Sequence, residues 1–178
     1  TRLQGDWSSD VCSSDLFLYH GLRREELCGL KLNDIQERRG VPHLRIHGKG
    51  GKIRFVPLHP KAQGLIHDYR EALGGLDDPD APLFRPVRNN RTATLAKPLH
   101  PDSILHEIVK KHARAAGISV EGFCVHSLRA TAATNALDHQ ADIAKVQEWL
   151  GHANVSTTRL YDRRQMRPED SPTFKVIY

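Results

Sequence analysis

The last third of this chain reads VHSLRATAATNALDHQADIAKVQEWLGHANVSTTRLY from Val125 to Tyr161. His126 and Arg129 are three residues apart, so their side chains share one face of a helix. A second imidazole, His152, ends the sequence Leu-Gly-His, and the phenol of Tyr161 lies nine residues further on. Imidazole, guanidinium and phenol groups at these spacings predict a site that handles phosphate.

Two segments upstream add further cations. The sequence GLRREEL at residues 21–27 contains Arg23 and Arg24, and HGKGGK at residues 47–52 places Lys49 in a glycine-rich turn. A tight turn would hold that lysine outward. We interpret Arg24, which faces another side of its helix, as a surface residue.

In this order, the five motifs resemble those of the tyrosine recombinases, the family of phage integrases and Xer-type recombinases. The resemblance runs from about Phe17 to Tyr161. It implies a catalytic domain with a mixed helical fold and a three-stranded sheet on one edge, which cleaves and rejoins DNA through a 3′-phosphotyrosine intermediate. A type IB topoisomerase, which shares this chemistry, is one alternative. A catalytically inactive DNA-binding remnant is the other.

The resemblance implies a role for each matching residue. Tyr161 would be the nucleophile. Because a phenol is mostly protonated at neutral pH, it needs a proton acceptor, and His126 is the candidate. Arg23 and Arg129 would bind the nonbridging oxygens of the scissile phosphate, which planar guanidinium groups suit. His152 would be a second donor to that phosphate.

A lysine and a carboxylate complete the expected site. Lys49 would protonate the departing 5′ oxygen as general acid, with Lys52 of the same turn as its rival. Glu26 would orient Arg23 as an accessory carboxylate, and an ordinary place on the helix surface is the alternative. This chemistry needs no metal and no nucleotide cofactor, and the sequence has neither a Gly-x-x-x-x-Gly-Lys-Ser/Thr loop nor paired-cysteine zinc spacing.

The pattern along the chain predicts an α+β fold that is mostly helical, with one small antiparallel sheet. Strands are expected at residues 34–37, 43–47 and 52–58, the last two pairing around the glycine turn. Helices are expected at residues 17–30 with a break at Gly21, at 60–73, from 101 to about 116, at 127–137 and at 143–150. Residues 76–100 read as loop with a short strand near 83–84.

Two features mark the predicted helix from residue 101. One face is expected to carry its apolar side chains, which are Ile104, Leu105, Ile108, Val109 and Ala116. Gly117 is expected to end this helix. Asp142 is expected to cap the helix that ends at Gly151.

The first residues do not read as native sequence. Residues 6–16, DWSSDVCSSDL, are the translation of a sequencing-adapter oligonucleotide. We therefore predict that residues 1–16 are not native, that residues 17–162 form the catalytic domain, and that the N-terminal core-binding domain usual in this family is absent from the chain. A natural Ser/Asp-rich linker is the alternative. Without the segment, 25 basic and 18 acidic residues give a net charge of +7.

A basic chain with a pI near 9.3 fits a polyanionic partner. We expect the partners to be double-stranded DNA and further copies of the chain, assembled as a tetramer on paired sites. No apolar run approaches membrane-spanning length, so we expect no membrane partner and a cytoplasmic location. A gene carried by a phage or another mobile element, acting in site-specific recombination or DNA integration, is the expected source.

The tail, residues 163–178, contains prolines and charges that disfavour a long helix after Tyr161. Thr173–Tyr178 has the aromatic and β-branched residues of a short strand. The resemblance implies that such a segment packs on a neighbouring protomer. A strand folded back on its own domain and a disordered end are the alternatives.

Overall fold

The structure is a computed structural model that describes residues 5–72, 78–85, 97–164 and 171–177. The α-helices are α1 (Gly5–His20), α2 (Arg24–Cys28), α3 (Pro60–Ala72), α4 (Pro101–Ser103), α5 (Lys110–Ala115), α6 (Val125–Asp138), α7 (Ile143–Leu150) and α8 (Val155–Arg159). The strands are β1 (Ile35–Arg38), β2 (Val41–His47) and β3 (Ile53–Pro57). The prediction of a mostly helical fold with a three-stranded antiparallel sheet is confirmed.

The sheet has the order β1-β2-β3 with both pairs antiparallel. Arg39 and Gly40 connect β1 to β2 with φ angles of 52° and 76°, the conformation that two-residue hairpins favour. A 3₁₀ turn at Lys49–Gly51 connects β2 to β3, as the glycines predicted. The Gly48 amide donates to the Lys52 carbonyl over 2.7 Å and closes the base of this turn.

Gly21 separates α1 from α2, as predicted. Its φ of +56° is one that side chains rarely adopt, and a Cβ there would lie 2.7 Å from Cδ2 of Leu150. Only a glycine lets the chain turn this closely against the end of α7. This close approach brings the start of α2 next to the end of α7.

The apolar core has two parts. The larger cluster packs α1, the inner face of the sheet, α3 and the helix after residue 101 around residues such as Phe17, Ile46 and Tyr69. The smaller one joins α6 to α7. Trp149 packs against both clusters, so the end of α7 lies where they meet.

The helix that begins at Pro101 continues through a π-helical segment, Ile104–Val109, into α5. Of its predicted apolar face, Ile104, Ile108 and Val109 are buried and Leu105 is half-buried. Ala116 is exposed, and Ala113 is buried in its place. This correction has a local cause, because the wider π turn shifts the register and Ala116 lies beyond the last helical residue.

Two predicted helix ends are confirmed. Gly117 has a φ of +71°, and the bond from the Ile118 amide to the Ala113 carbonyl, 2.8 Å, completes a Schellman motif. Asp142 accepts from the amides of Ala144 and Lys145 at the start of α7. The predicted end of α3 at residues 73–75 lies outside the described residues.

Two predicted strands are wrong. Near residues 83–84 there is only an isolated bridge between Lys31 and Pro82. In the tail, Pro172–Lys175 forms a 3₁₀ turn, because proline at its first position fixes a helical φ and Ser171 caps it by accepting from the Thr173 amide. Residues 176–177 that follow are exposed.

Residues 6–16 lie within α1, where Ser13 and Leu16 are buried. A helical conformation does not depend on where the codons came from, so the adapter hypothesis stays a prediction. Within the described part of the chain, no helix is both long and apolar enough to cross a membrane.

Candidate active site

Tyr161 lies just after α8, where its amide donates to the Thr158 carbonyl over 3.0 Å. Its phenol oxygen is 3.1 Å from Nε2 of His126, which is exposed in the first turn of α6. The phenol and imidazole are therefore hydrogen-bonded across 35 residues of sequence. This is the geometry in which an imidazole can take a phenolic proton.

His152 also lies beside the phenol, with the centroids of the two rings 6.0 Å apart. Its Nδ1 is 2.9 Å from the hydroxyl of Thr158, a residue that is itself buried. Burial, and then repulsion by Arg129 and Arg23, lower the pKa of His152 to about 4. The ring is therefore neutral at pH 7.

Arg129 is 2% exposed. Its Nη1 donates to the carbonyl of Gly21, and its Nη2 donates to the carbonyl of Leu150 over 2.5 Å. Burial, together with the charge of Arg23, lowers the pKa of Arg129 to about 10, so it still carries its charge at pH 7. Arg129 thus ties the α1–α2 junction to the end of α7.

Arg23 and Glu26 form a closed pair at the start of α2. The Arg23 amide donates to Oε2 of Glu26 over 2.8 Å, and Arg23 Nη1 donates to Oε1 over 2.7 Å. Burial alone would raise the pKa of Glu26, but hydrogen bonds from Arg54 and Arg23 outweigh it and lower the pKa to about 2. Glu26 is buried and does not occupy the helix surface.

Arg54 was missed by the sequence analysis. It donates from Nη1 and Nη2 to the two oxygens of Glu26, each over 2.8 Å, and from Nε to the Trp149 carbonyl over 3.0 Å. A signal was present, because strand alternation puts Arg54 on the same inward face as Val56. An arginine at an inward strand position needs a buried partner.

Three successive carbonyls at the end of α7 each accept a hydrogen bond from a different arginine. The pairs are Trp149 with Arg54, Leu150 with Arg129, and Gly151 with Arg23 at 3.2 Å. The last carbonyls of a helix have no partner within it and form the negative end of its dipole. They, with the Glu26 carboxylate, allow three guanidinium groups to lie close together.

The predicted site residues are thus unevenly placed. The structure joins Arg23 and Arg129 through carbonyls at the end of α7, and Glu26 binds Arg23. It also places His126 and His152 beside Tyr161. Lys49 and its rival Lys52 are both exposed on the hairpin turn. Neither has a hydrogen bond to the other predicted site residues among those the structure describes.

A pocket of about 310 Å³ opens between α2 and α6. Its lining includes Arg23, Arg129 and His126, with Leu22 and Cys124 as neighbours. Arg24 also lines this pocket, where it pairs with the exposed carboxylates of Glu25 and Asp102. The pocket therefore offers fixed positive charge next to an accessible imidazole.

Comparison with known proteins identifies this arrangement. A family model described as the phage integrase family matches residues 6–167. The chain belongs to the phage integrase family.

No group of three or more His, Cys, Asp or Glu side chains in the described ranges is placed to hold a metal ion.

Relatives of this integrase-family chain include tyrosine recombinases of the Xer type. It is 40% identical over 142 residues to tyrosine recombinase XerC of Pelobacter propionicus, a match that covers 79% of this chain and 43% of that protein. It is 38% identical over 149 residues to tyrosine recombinase XerA of Pyrococcus furiosus, covering 83% and 48%. The chain therefore spans less than half the length of these two relatives.

Solved structures show the same fold. The XerH site-specific recombinase bound to its difH substrate, in a pre-cleavage complex, superposes with a TM-score of 0.74 at 25% identity, over 92% of this chain and 45% of that one. The XerA recombinase superposes with a TM-score of 0.69 at 25% identity, over 92% and 54%. The shared part corresponds to about half of each recombinase.

Proposed function

We propose that this chain is the catalytic domain of a site-specific recombinase that cleaves and rejoins double-stranded DNA through a 3′-phosphotyrosine at Tyr161. The observation that carries the proposal is the 3.1 Å hydrogen bond between the Tyr161 phenol and His126, beside the arginines of the pocket. Membership of the phage integrase family and the similarity to Xer recombinases support it.

The reaction begins when Tyr161 Oη attacks the scissile phosphorus and passes its proton to His126 Nε2. A bond forms between the phenol oxygen and phosphorus, and the bond to the 5′ oxygen breaks. Lys49 gives the departing oxygen its proton. The reverse sequence rejoins the strand, and because the phosphotyrosine bond conserves the energy of the broken one, neither metal nor nucleotide is consumed.

The arginines stabilise the negative charge that grows on the phosphate, which is the main resource for phosphoryl transfer. Arg23, with its side chain 37% exposed, presents donors to the pocket. Each Nη of Arg129 donates one hydrogen bond to a backbone carbonyl, so Arg129 acts on the phosphate through its remaining N–H groups and its charge. Because hydrogen bonds already hold both side chains without a substrate, their reorganisation adds little to the energy needed for the reaction.

His152 acts as a neutral donor. When its Nδ1 accepts a hydrogen bond from the Thr158 hydroxyl, the ring proton resides on Nε2. That N–H can donate to a nonbridging phosphate oxygen. The low pKa of His152, about 4, favours this neutral form at physiological pH.

Lys49 is exposed on the hairpin turn, and a movement of this turn toward DNA would bring it to the phosphate. Gly50 and Gly51 both have a φ of 74°, so the turn contains two positions suited to such a change. Lys52 remains the alternative general acid within the same turn.

Tyr161→Phe tests the proposal. The 178-residue chain is mixed with nicked duplexes of random sequence, so that a cleaved end diffuses away and traps the covalent adduct. Denatured protein is then recovered and its attached DNA sequenced. Tyr19→Phe is the matched control, because Tyr19 is also half-buried but stacks on His59, with ring centroids 4.1 Å apart.

We expect adducts with the unaltered chain and with Tyr19→Phe, sharing one sequence, and none with Tyr161→Phe. An adduct that survives in Tyr161→Phe contradicts the assignment of the nucleophile. Absence of any adduct with the unaltered chain contradicts the proposed activity.

The expected partners are DNA and further copies of the chain, in the cytoplasm. The net charge of +5 favours a polyanion, and the XerH site-specific recombinase is described as bound to its difH substrate. We propose assembly as a tetramer on paired sites, with the tail contacting a neighbouring protomer. Phe174 and Ile177, 74% and 93% exposed, would be buried by that contact.

We also propose the division of the chain made from its sequence: residues 17–162 as the catalytic domain, residues 163–178 as the tail, and residues 1–16 as adapter translation. Resequencing the locus tests the last part. Codons for residues 6–16 that continue into native upstream coding sequence would contradict it.

A further inference from the structure

Arg54 has no role in the proposed reaction steps. It lies on β3, paired across the sheet with the fully buried Ile46, and its side chain is 14% exposed. A buried guanidinium is costly unless its donors are paired. Here Nε, Nη1 and Nη2 all have partners, and those partners belong to α2 and α7 rather than to the sheet.

The absence of a side chain at Gly151 leaves room for Arg54. A Cβ at Gly151 would lie 3.0 Å from Arg54 Nη1 and 3.3 Å from its Cδ and Cζ. A Cβ at Gly48, at the base of the hairpin turn, would lie 3.8 Å from Nη1, an ordinary van der Waals contact. The guanidinium therefore crosses between two glycines, from the hairpin to the end of α7.

Glu26 connects Arg54 to Arg23. Oε1 of Glu26 accepts from Nη1 of both arginines, and Oε2 accepts from Arg54 Nη2 and from the Arg23 amide. Without Arg54, each carboxylate oxygen would keep one donor, and both of these come from Arg23. The carboxylate could then turn, and Arg23 with it.

We propose that Arg54 is a positioning residue that holds Arg23 in place for the scissile phosphate through Glu26. Arg54 Nε donates to the Trp149 carbonyl, which holds the guanidinium group in place. Its two Nη groups then hold both oxygens of Glu26. The inference rests on the proposed function, because it assigns Arg23 to the phosphate. Neither Arg54 nor Glu26 lines the pocket, whereas Arg23 does, so Arg54 acts on the pocket through Glu26 and Arg23.

Arg54→Lys is the informative variant. It keeps the charge, but one ammonium cannot make two parallel bonds to Glu26 and a third to Trp149. Arg45→Lys is the matched control, because Arg45 also lies in the sheet and donates from Nε to a buried carboxylate, Asp34, over 2.8 Å. The control changes the same chemical group on the opposite face of the sheet.

Two measurements are made on the full chain. The first is adduct formation in single turnover over a range of concentrations of the nicked DNA recovered above, which separates the limiting rate from the affinity. The second is the ¹⁵N NMR signal of the Arg23 guanidinium without DNA, whose Nη groups give separate signals only when hydrogen bonds stop the group from rotating.

We expect Arg54→Lys to lower the limiting rate about 10- to 100-fold and to change DNA affinity by less than about threefold. In Arg23→Lys, the further change Arg54→Lys should have little added effect, because both act through one group. Arg45→Lys should stay within about twofold in rate. The separate Nη signals of Arg23 should merge in Arg54→Lys only.

Equal loss of rate and affinity in Arg54→Lys, additive losses in the double variant, or the same effect from Arg45→Lys would overturn the inference. Separate Nη signals for Arg23 in Arg54→Lys would also overturn it, whether or not the chain cleaves DNA. Failure of the unaltered chain to form adducts counts instead against the proposed function, and the NMR comparison then decides the role of Arg54.

Discussion

The arginine side of the site and its proton-transfer side are built differently. Arg129 and Arg54 are nearly buried, at 2% and 14% exposed, and each is held by hydrogen bonds to groups on two other segments. On the other side, Lys49 is exposed on a glycine turn, and the Tyr161 hydroxyl is held by a bond to the exposed His126. Charge is fixed by the fold, whereas the groups that move protons stay accessible.

This difference follows from what each group has to do. A donor that stabilises a growing charge is most effective when its position costs nothing during the reaction. A nucleophile and a general acid must meet a substrate that arrives from outside. Changes on the arginine side should therefore cost stability as well as rate, and changes on the proton-transfer side should cost rate alone.

Replacing Arg129 should have the largest effect on stability. Arg129→Met keeps the volume but leaves the carbonyls of Gly21 and Leu150 buried without that donor. We expect a loss of about 3 to 5 kcal/mol in the free energy of unfolding, measured by urea denaturation. A loss below about 1 kcal/mol would show that the buried arginine does not hold the two segments together.

Glu26→Gln should come next. Because the pKa of Glu26 is lowered from 4.5 to about 2, its ionised form stabilises the fold above pH 4.5, and this stabilisation is lost as the pH falls toward 2. We expect a loss of about 3 kcal/mol at pH 7. The variant should also lack the part of the acid destabilisation between pH 4.5 and 2. Parallel curves for the two proteins across this range would contradict the assignment.

His152→Gln should have a smaller effect that depends on pH. The unfolded chain binds a proton at His152 below pH 6.5, but the folded chain does so only below about pH 4. The unaltered protein should therefore lose stability as the pH falls from 6.5 to 4, and the variant should lose less. His20, whose pKa burial also lowers to about 4, is common to both proteins, so the difference between their melting curves isolates His152.

Lys49→Ala should have the smallest effect on stability, within about 0.5 kcal/mol, because the side chain is exposed. Its effect on cleavage should be large. A DNA substrate with sulfur at the 5′ bridging position has a leaving group that needs no proton, so it should rescue Lys49→Ala. Rescue of Lys52→Ala instead would move the general acid by three residues.

How much the sequence revealed varies with the range of the contacts. The cap at Asp142 and the helix end at Gly117 were predicted, because each depends on residues a few positions apart. The break at Gly21 was also predicted, although its close approach to Leu150 is a long-range contact that the sequence did not reveal. The tail strand was predicted wrongly. There Pro172 and Ser171, also local signals, favour a 3₁₀ turn more strongly than the β-branched residues favour a strand.

The candidate site shows the same division. His126, Arg129, His152 and Tyr161 could be picked out because their types and spacing match a family pattern. Arg54 could not, since in the sequence it is one of several cations near the hairpin. Its inward strand position indicated a buried partner, but the alternation of a strand does not say which carboxylate lies opposite.

The sequence by itself therefore determined the reactive groups, their order along the chain and most ends of the helices, because spacing, glycine and capping residues act over one or two turns. Only the tertiary structure decided that Arg129 would be buried and that Glu26 would join two arginines. It also decided that three successive carbonyls at the end of α7 would each accept a hydrogen bond from a different arginine. Apart from the Arg23–Glu26 pair, those bonds join residues 21 to 128 positions apart. Contacts over such distances depend on how the two parts of the core pack around Trp149, which local patterns do not encode.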